Sequence, residues 1–289
     1  MSKYREIAKD LVSFFEAFVR HPTECLRIMR PLPAIVAGAL NAKDWPRNIS
    51  DQPGKVSHGD PAQGHTQNPL GVYFESHEEG RGILKWLHYF DIYHRYFQKF
   101  VGQEVHIVEI GIFSGGSLDM WKEYFGPKCR IYGVDIHEEC KAYEDSQTKV
   151  FVGDQADRSF WEGFKKNVPR VDIVIDDGGH LPHQQIVTLE ELLPHVQPGG
   201  VFWCEDILGI HQRFVAYLYG LADRLNAYGI KPDGSEVDPS EFQRSIYGIH
   251  LYPFVAVIEK AEVRVERFAC PGHGTEWQPF SVTASGLPG

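Results

Sequence analysis

Five short apolar runs alternate with segments of helical length in the middle of the chain, and this alternation constrains the fold most. Each run ends at or beside a glycine or an acidic residue; the runs are residues 105–112, 130–135, 150–154, 171–177 and 201–206. The helix-length segments between them include residues 118–125, 159–167 and 183–195. Strands that alternate with helices in this way predict a Rossmann-like α/β fold, with a mostly parallel sheet and right-handed crossovers.

The regions that flank this pattern complete the predicted architecture. Residues 245–251 and 254–259 are separated by Tyr252-Pro253 and predict an antiparallel hairpin at the end of a seven-stranded sheet. Apolar positions at helical spacing predict short N-terminal helices over residues 3–40, with a break at His21-Pro22, and further helices over 78–100 and 207–228.

Three regions of different character divide the chain. Residues 1–100 hold the N-terminal helices and a long polar loop at 41–69, which is either a lid over a site or disordered. Residues 101–270 carry the alternating pattern, and the Gly-, Pro- and Ser-rich residues 271–289 predict a flexible tail. We expect the first region to serve as a lid, an acceptor-binding element or an oligomer contact.

Charge and composition restrict the class of partner. The formal net charge is −10 and the 29 lysines and arginines are scattered, whereas a nucleic-acid backbone requires clustered basic residues. The five cysteines contain no C-x-x-C pair, and no run approaches the roughly 18 apolar residues of a membrane span. We therefore expect a soluble, cytoplasmic protein with reduced thiols and a small or uncharged substrate, with neither nucleic acid nor membrane as partner.

The turn after the first strand predicts a cofactor site. Glu109 and Gly111 are followed by Gly115, Gly116 and Ser117, where a helix begins. Glycines let the backbone pass close to a ligand, and the free N–H groups of a helix start favour a carboxylate. The spacing is not G-x-G-x-x-G, so it disfavours a dinucleotide and fits the amino-acid end of S-adenosylmethionine. A simple tight βα loop is the alternative.

Acidic and amide side chains at the ends of the next two strands extend this prediction. Asp135 ends the second strand at about the separation where doubly wound folds place an acid that binds ribose hydroxyls. Asp154 and Gln155 end the third strand and could accept a hydrogen bond from an adenine amino group. Ligands in such sheets lie beyond these strand ends.

Two acidic pairs at the ends of the fourth and fifth strands predict a metal site. Asp176-Asp177 and Glu205-Asp206 should arrive at one sheet edge about 5 Å apart if the two strands are neighbours. Such carboxylates repel each other unless a hard cation neutralises them, and Mg²⁺ is the default. Because residues alternate faces along a strand, we assign Asp177, Glu205 and Asp206 to the metal and Asp176 to cofactor or backbone contacts.

A histidine beside these acids predicts the catalytic base. His180 follows a Gly-Gly turn that can bring it back over the metal site, where a neutral imidazole can take a proton from an acidified hydroxyl. His183 is the second choice for the base, although an ordinary surface position is the better interpretation of that residue. Helix N-caps and a turn histidine are the purely structural alternative for the whole set.

Taken together, these motifs resemble the metal-dependent sugar O-methyltransferases of macrolide biosynthesis, the mycinamicin and macrocin type. The resemblance rests on the runs EIGIFSGGSL (109–118), GVD (133–135), GDQ (153–155), DDGGH (176–180) and GGVFWCED (199–206). It covers about residues 74–260. The N-terminal region does not look like the large extra domain of the mycinamicin enzyme, and Gly179 stands where many relatives carry serine.

The resemblance implies a class I methyltransferase fold, S-adenosylmethionine and Mg²⁺ as cofactors, and a homo-oligomer. It also implies that Asp177, Glu205 and Asp206 match the family's metal ligands and that His180 matches its base. The expected acceptor is a hydroxyl of a small molecule, a sugar or a glycosylated natural product. The aromatic residues Tyr73, Phe74 and those of 86–96 could stack on such an acceptor, but we expect most of them to be core.

Two other functions remain as alternatives. An NAD-dependent oxidoreductase is disfavoured by the glycine spacing. A non-catalytic methyltransferase-like binding subunit is possible because a fold does not guarantee activity, but the intact acids and His180 speak against it.

Overall fold

The structure, a computed structural model, describes residues 2–29, 68–208, 213–227 and 238–269, together with the isolated positions 33, 36, 37, 40 and 273. The chain forms two compact units, residues 1–61 and 62–289. The predicted loop at 41–69, except for its last two residues, and the predicted tail at 271–289, except for His273, lie outside the described residues. The predicted roles of residues 1–100 and the division at residue 100 stay predictions.

Within residues 2–29 of the first unit, two helices meet where the sequence predicts a break. Helix α1 (Ser2–Arg20) ends before His21, and helix α2 (Pro22–Met29) begins with proline, which fits the first turn of a helix because its missing N–H needs no partner there. No helix in the described part of the chain is long and apolar enough to cross a membrane.

Seven strands of the second unit form one sheet in the order β3-β2-β1-β4-β5-β7-β6. Their bounds are β1 His106–Ile110, β2 Arg130–Asp135, β3 Thr148–Val152, β4 Val171–Asp176, β5 Val196–Cys204, β6 Ile246–Tyr252 and β7 Val255–Lys260. Strands β1 to β5 are parallel, and β7 pairs antiparallel with both β5 and β6. The predicted mostly parallel seven-stranded sheet with a C-terminal hairpin is confirmed, and the chain order reverses between β1 and β4.

The helices of this unit pack on both faces of the sheet. Their bounds are α3 Pro69–Ser76, α4 Tyr89–Phe97, α5 Gly116–Phe125, α6 Arg158–Asn167, α7 Pro182–Leu192, α8 Arg213–Leu225 and α9 Glu241–Ser245. Local sequence sets several starts: Asn68 accepts from the Leu70 N–H before α3, and Asp157 accepts from the Ser159 N–H before α6. Three short 3-10 segments follow α4, β2 and α7.

Alternation along the strands builds two hydrophobic cores. One face of the central strands packs with α4 and α5, and the opposite face packs with α6, α7 and α8. Residues of the first face include Ile107, Ile173 and Val201, and their chain neighbours Val108, Val174 and Phe202 belong to the second face. A sheet covered on both faces explains why its strands are continuous apolar runs.

The predicted helix over residues 78–100 is wrong in its first half. Helix α4 begins at Tyr89, and residues 77–88 are irregular. Gly80 has a φ of 104°, a left-handed value that a helix does not accept. The predicted helix over 207–228 is confirmed in part as α8, with residues 209–212 and 228 outside the described residues.

Candidate functional site

A cavity of about 1080 Å³ lies beyond the carboxyl ends of the parallel strands. Its walls come from the loops after β1, β2, β3, β4 and β5 and from the irregular segment 82–87. This is the position where open α/β sheets bind ligands, beside the point at which the strand order reverses. The volume reaches the upper end of the usual range for small-molecule sites, about 300–1,000 Å³.

Five predicted cofactor residues line the cavity directly. Asp135 is 8% exposed; its two carboxylate oxygens accept from the backbone N–H groups of His137 and Phe113, at 3.0 and 3.2 Å. Asp154, Gln155 and Gly111 lie on the same wall. Ser117 also lines the cavity, and its hydroxyl bonds Glu109 behind it.

Three predicted cofactor residues are not part of the cavity wall. Glu109 is fully buried and accepts from the Trp121 indole N–H at 3.1 Å; burial raises the pKa of its carboxyl, although Lys85 opposes the shift. Gly115 has a φ of 78° and precedes α5, and the ring of Tyr143 would lie 3.0 Å from an added Cβ. The third residue is Asp176, which is 1% exposed.

Gln155 and Asp176 form a buried hydrogen-bond bridge under the cavity. The Gln155 amide nitrogen donates to Asp176 Oδ1 at 3.0 Å and to the Thr188 hydroxyl at 3.1 Å, and its oxygen accepts from the Gly179 N–H at 2.7 Å. The Gln155 side chain therefore links the loop after β3 to the end of β4 and to the loop that follows β4. Burial raises the pKa of Asp176 to about 6.

Position 111 requires glycine for a steric reason, in addition to lining the cavity. Its φ is 81°, and an added Cβ would lie 2.1 Å from the backbone oxygen of Asp177. The backbone of the loop after β1 thus packs directly on the backbone of the loop after β4, with no side chain between them. Gly178 is equally confined, because an added Cβ would lie 2.0 Å from Gln155 Oε1.

Asp177, His180 and Asp206 converge in the cavity as the strand order predicts. Nε2 of His180 lies 4.0 Å from Asp177 Oδ1 and 3.9 Å from Asp206 Oδ2. One ligand atom from each of the three residues fits within 4.8 Å of the others, a set that could hold a metal ion. Within the described ranges, Asp177 Oδ1 and Asp206 Oδ2 accept no hydrogen bond, so both oxygens are available.

Glu205 lies behind these oxygens, where protein groups already bind it. Its side chain is 1% exposed and accepts from the Tyr93 hydroxyl at 2.9 and 2.8 Å and from the Lys85 ammonium at 2.7 Å. Lys85 also contacts Asp177 Oδ2. Burial, followed by the charge of Asp177, raises the pKa of Glu205 well above its ordinary value.

Aromatic side chains extend the site around Asp206. The Tyr89 hydroxyl donates to Asp206 Oδ1 at 2.8 Å, and the Trp86 indole N–H donates to the same oxygen at 3.1 Å. Trp86 is 48% exposed and packs against Phe254 with 5.2 Å between ring centroids. The expectation that most of the 86–96 aromatics are core is confirmed, and Trp86 is an exception because its side chain is half-exposed in the cavity wall.

Backbone strain surrounds this region. Four non-glycine residues of the described chain have left-handed φ values: Phe113 at 41°, His180 at 56°, Asp206 at 55° and Phe254 at 65°. The first three line the cavity, and Phe254 contacts Trp86. Strained backbone of this kind concentrates at functional sites because the surrounding structure must hold it there.

The chain is similar in sequence to methyltransferases of natural-product pathways. It is 31% identical over 200 residues to mycinamicin VI 2''-O-methyltransferase of Micromonospora griseorubida, a match that covers 62% of this chain and 49% of the relative. It is 34% identical over 200 residues to demethylmacrocin O-methyltransferase of Streptomyces fradiae, covering 61% of this chain and 50% of the relative. The predicted resemblance to macrolide sugar O-methyltransferases is confirmed. No family model matches the chain.

Solved structures of a macrolide-pathway enzyme support the same conclusion about the fold. The MycE methyltransferase from the mycinamycin biosynthetic pathway, in complex with Mg and SAH, aligns with a TM-score of 0.55 at 30% identity, over 67% of this chain and 54% of that chain. A further MycE structure with Mg, SAH and mycinamycin VI aligns with a TM-score of 0.53. The fold is that of a class I methyltransferase. The chain spans about half the length of the macrolide methyltransferases that it matches.

Sequence reasoning missed three residues of the site, Lys85, Tyr89 and Tyr93. The two tyrosines are four residues apart on α4, which places both on one helix face, but this spacing equally indicates core packing. Lys85 interrupts the apolar run Ile83-Leu84-Lys85-Trp86-Leu87, a signal for a buried charge that needs a partner. His183, the second choice for the base, is exposed on α7 and does not line the cavity.

Proposed function

We propose that this protein is an S-adenosylmethionine- and Mg²⁺-dependent O-methyltransferase acting on a hydroxyl of a small molecule, a sugar or a glycosylated natural product. One observation carries the proposal. The His180 imidazole and the available oxygens of Asp177 and Asp206 face each other at about 4 Å in the cavity at the strand ends.

The donor set fits a hard divalent cation. Asp177 Oδ1 and Asp206 Oδ2 are oxygen ligands of the kind Mg²⁺ prefers, and the cavity leaves room for water and acceptor oxygens. We assign Asp177, Asp206 and Glu205 to the metal, with Glu205 requiring a shift of Lys85 or of its own side chain, because its oxygens already accept from Lys85 and Tyr93. When bound, such a cation would hold and acidify the acceptor hydroxyl.

The opposite half of the cavity fits the methyl donor. We assign Asp135 to the ribose hydroxyls and Asp154 to the adenine amino group. Gln155 lies beside Asp154, but both its amide hydrogens are donated to protein groups and its oxygen already accepts from the Gly179 N–H. Gly111 and Ser117 border the amino-acid end. Glu109, Gly115 and Asp176 then act from behind the wall by fixing its shape.

The protein's own groups position and deprotonate the acceptor. Nε2 of His180 would take the proton of the acceptor hydroxyl as its oxygen gains the methyl group, whose bond to the donor sulfur breaks. Tyr89 and Trp86 hold Asp206 Oδ1, which leaves Oδ2 turned toward His180. Preorganised contacts of this kind cost no rearrangement during the reaction.

The remaining parts of the proposal rest on the resemblance. They are a homo-oligomeric state, a cytoplasmic location and a role in natural-product biosynthesis. The relatives above are all named as methyltransferases, so neither an NAD-dependent oxidoreductase nor a non-catalytic subunit gains support from them.

Calorimetric titration with S-adenosylmethionine, with and without Mg²⁺, tests the cofactor assignment. A product-release assay against a panel of glycosides and phenols then tests the reaction. Turnover that survives EDTA would exclude the metal assignment, and absence of cofactor binding would exclude the methyl donor.

A pair of histidine variants tests the base. His180→Ala should keep the affinities for cofactor and metal while turnover falls about 10²- to 10⁴-fold. His183→Ala is the matched control on the exposed surface of α7 and should keep wild-type turnover. Activity retained by His180→Ala would show that another group takes the proton.

A further inference from the structure

A lysine lies inside the acidic cluster of the site, where sequence reasoning placed only a metal. The Lys85 side chain is 3% exposed, and its ammonium contacts Asp177 Oδ2 and Glu205 Oε1 together. Glu205 is 1% exposed, so most of this contact is shielded from solvent.

The segment that carries Lys85 is anchored on both sides. On one side, Gly116 leaves room for the backbone oxygens of Arg81 and Gly82, which would lie 2.4 and 2.5 Å from an added Cβ. On the other side, the Trp86 indole donates to Asp206 and His88 bonds the backbone oxygen of Pro253. The irregular path of residues 81–88 therefore delivers the ammonium to one fixed place.

The charges in the site favour this arrangement. A pair of buried carboxylates without a counter-ion would repel each other and would lose hydration. With Lys85 charged, the three predicted ligands Asp177, Glu205 and Asp206 carry a surplus of two negative charges, which one divalent cation neutralises.

We propose that Lys85 is the internal counter-ion of this site: a positioning residue that neutralises Asp177 and Glu205 while no metal is bound and that lowers the affinity for the divalent cation. Its contact with Asp177 Oδ2 also leaves Oδ1 turned toward His180. The second half of this inference rests on the proposed metal site, whereas the first half concerns the metal-free protein.

The variant Lys85→Met tests the first half, because methionine fills a similar linear space without a charge. In EDTA its melting temperature should fall by about 10 °C, as expected when one member of a buried ion pair is removed. The matched control is Lys122→Met. Lys122 also contacts two carboxylates, those of Asp119 and Asp145 at 2.7 Å each, but at the surface. Its loss should stay within about 3 °C.

Isothermal titration with MgCl₂ tests the second half. Lys85→Met should bind Mg²⁺ about tenfold more tightly than the wild type, because a competing positive charge is gone. Mg²⁺ should also raise the melting temperature of Lys85→Met more than that of the wild type. Equal affinities, or equal shifts, would overturn the claim of competition. Absence of Mg²⁺ binding to the wild type and the variant alike would instead refute the proposed metal site.

A double variant keeps the test decisive if Lys85→Met does not fold. Lys85→Met with Glu205→Gln removes both charges of the pair, so its melting temperature in EDTA should return to within a few degrees of the wild type. A double variant less stable than Lys85→Met alone would overturn the counter-ion role. Equal melting temperatures of Lys85→Met and Lys122→Met in EDTA would overturn it as well.

Discussion

The substitution Gly111→Ala separates a structural role of this glycine from a role in ligand binding. Its φ of 81° costs an alanine about 1 kcal/mol, and the added Cβ would lie 2.1 Å from Asp177 O, whereas ordinary contacts begin at 3.4 Å. Forcing the two loops apart costs a further 1–3 kcal/mol, as overpacking does elsewhere. We expect a loss of about 3 kcal/mol, or about 10 °C in melting temperature, in the absence of any ligand.

Gly102→Ala is the matched control for this experiment. Gly102 has a similar φ of 75°, but no described atom lies within 4 Å of its added Cβ. Its loss should therefore reflect backbone strain alone, about 1 kcal/mol or about 3 °C. Thermal unfolding followed by circular dichroism measures both variants without cofactor. Equal losses for the two variants would refute the argument from the close approach of the loops.

Three further variants test other parts of the site. Gln155→Leu removes the hydrogen bonds to the buried Asp176 and Thr188 side chains and to the Gly179 N–H, and it should lose about 3 kcal/mol in urea denaturation. Burial raises the pKa of Asp176 from 3.8 to about 6, so the folded state holds this proton more tightly than the unfolded state does. The free energy of unfolding in EDTA should therefore fall by up to about 3 kcal/mol as the pH rises from 4 to 6. Asp176→Asn should remove that fall. Trp86→Ala removes the indole beside Asp206 and should raise the acceptor KM about tenfold, while calorimetry gives an unchanged affinity for S-adenosylmethionine.

Each of these three predictions has a result that contradicts it. A loss below about 1 kcal/mol in Gln155→Leu would mean that its partners find other bonds. A wild-type pH slope in Asp176→Asn would place the titrating group elsewhere. Val101→Ala is the control for Trp86→Ala, since Val101 is exposed and does not line the cavity. An equal rise in the acceptor KM in both variants would show that the effect is not specific to the Trp86 indole.

The sequence predicts the sheet and the acidic side of the site because both follow from strand order. Neighbouring parallel strands bring their carboxyl ends to one edge of the sheet, so Asp177 and Asp206, which follow β4 and β5, lie close together. Alternation along the strand also predicts that Asp176 faces away from the metal ligands. In the structure, Asp176 accepts a hydrogen bond from the Gln155 amide and does not line the cavity.

The sequence does not predict the parts of the site that depend on irregular backbone. Residues 81–88 have helical spacing of apolar positions, yet their path is irregular: Gly80 has a left-handed φ of 104°, and the backbone of Arg81 and Gly82 packs against Gly116. The position of Lys85 follows from that path and not from any periodicity. The position of Gln155 at a strand end is visible in the sequence and predicts a contact with adenine. Its hydrogen bonds to Asp176 and Thr188 are not visible there, because these partners are distant in the chain.

Directed evolution for stability could remove the site, because four of the residues in or beside it have left-handed backbone. They are Phe113, His180, Asp206 and Phe254. Each such residue costs about 1 kcal/mol that glycine would not, so selection for heat resistance alone would favour glycine at all four. Those replacements would delete the proposed base, a proposed metal ligand and two aromatic rings. A library built for thermostability should therefore keep these four codons fixed.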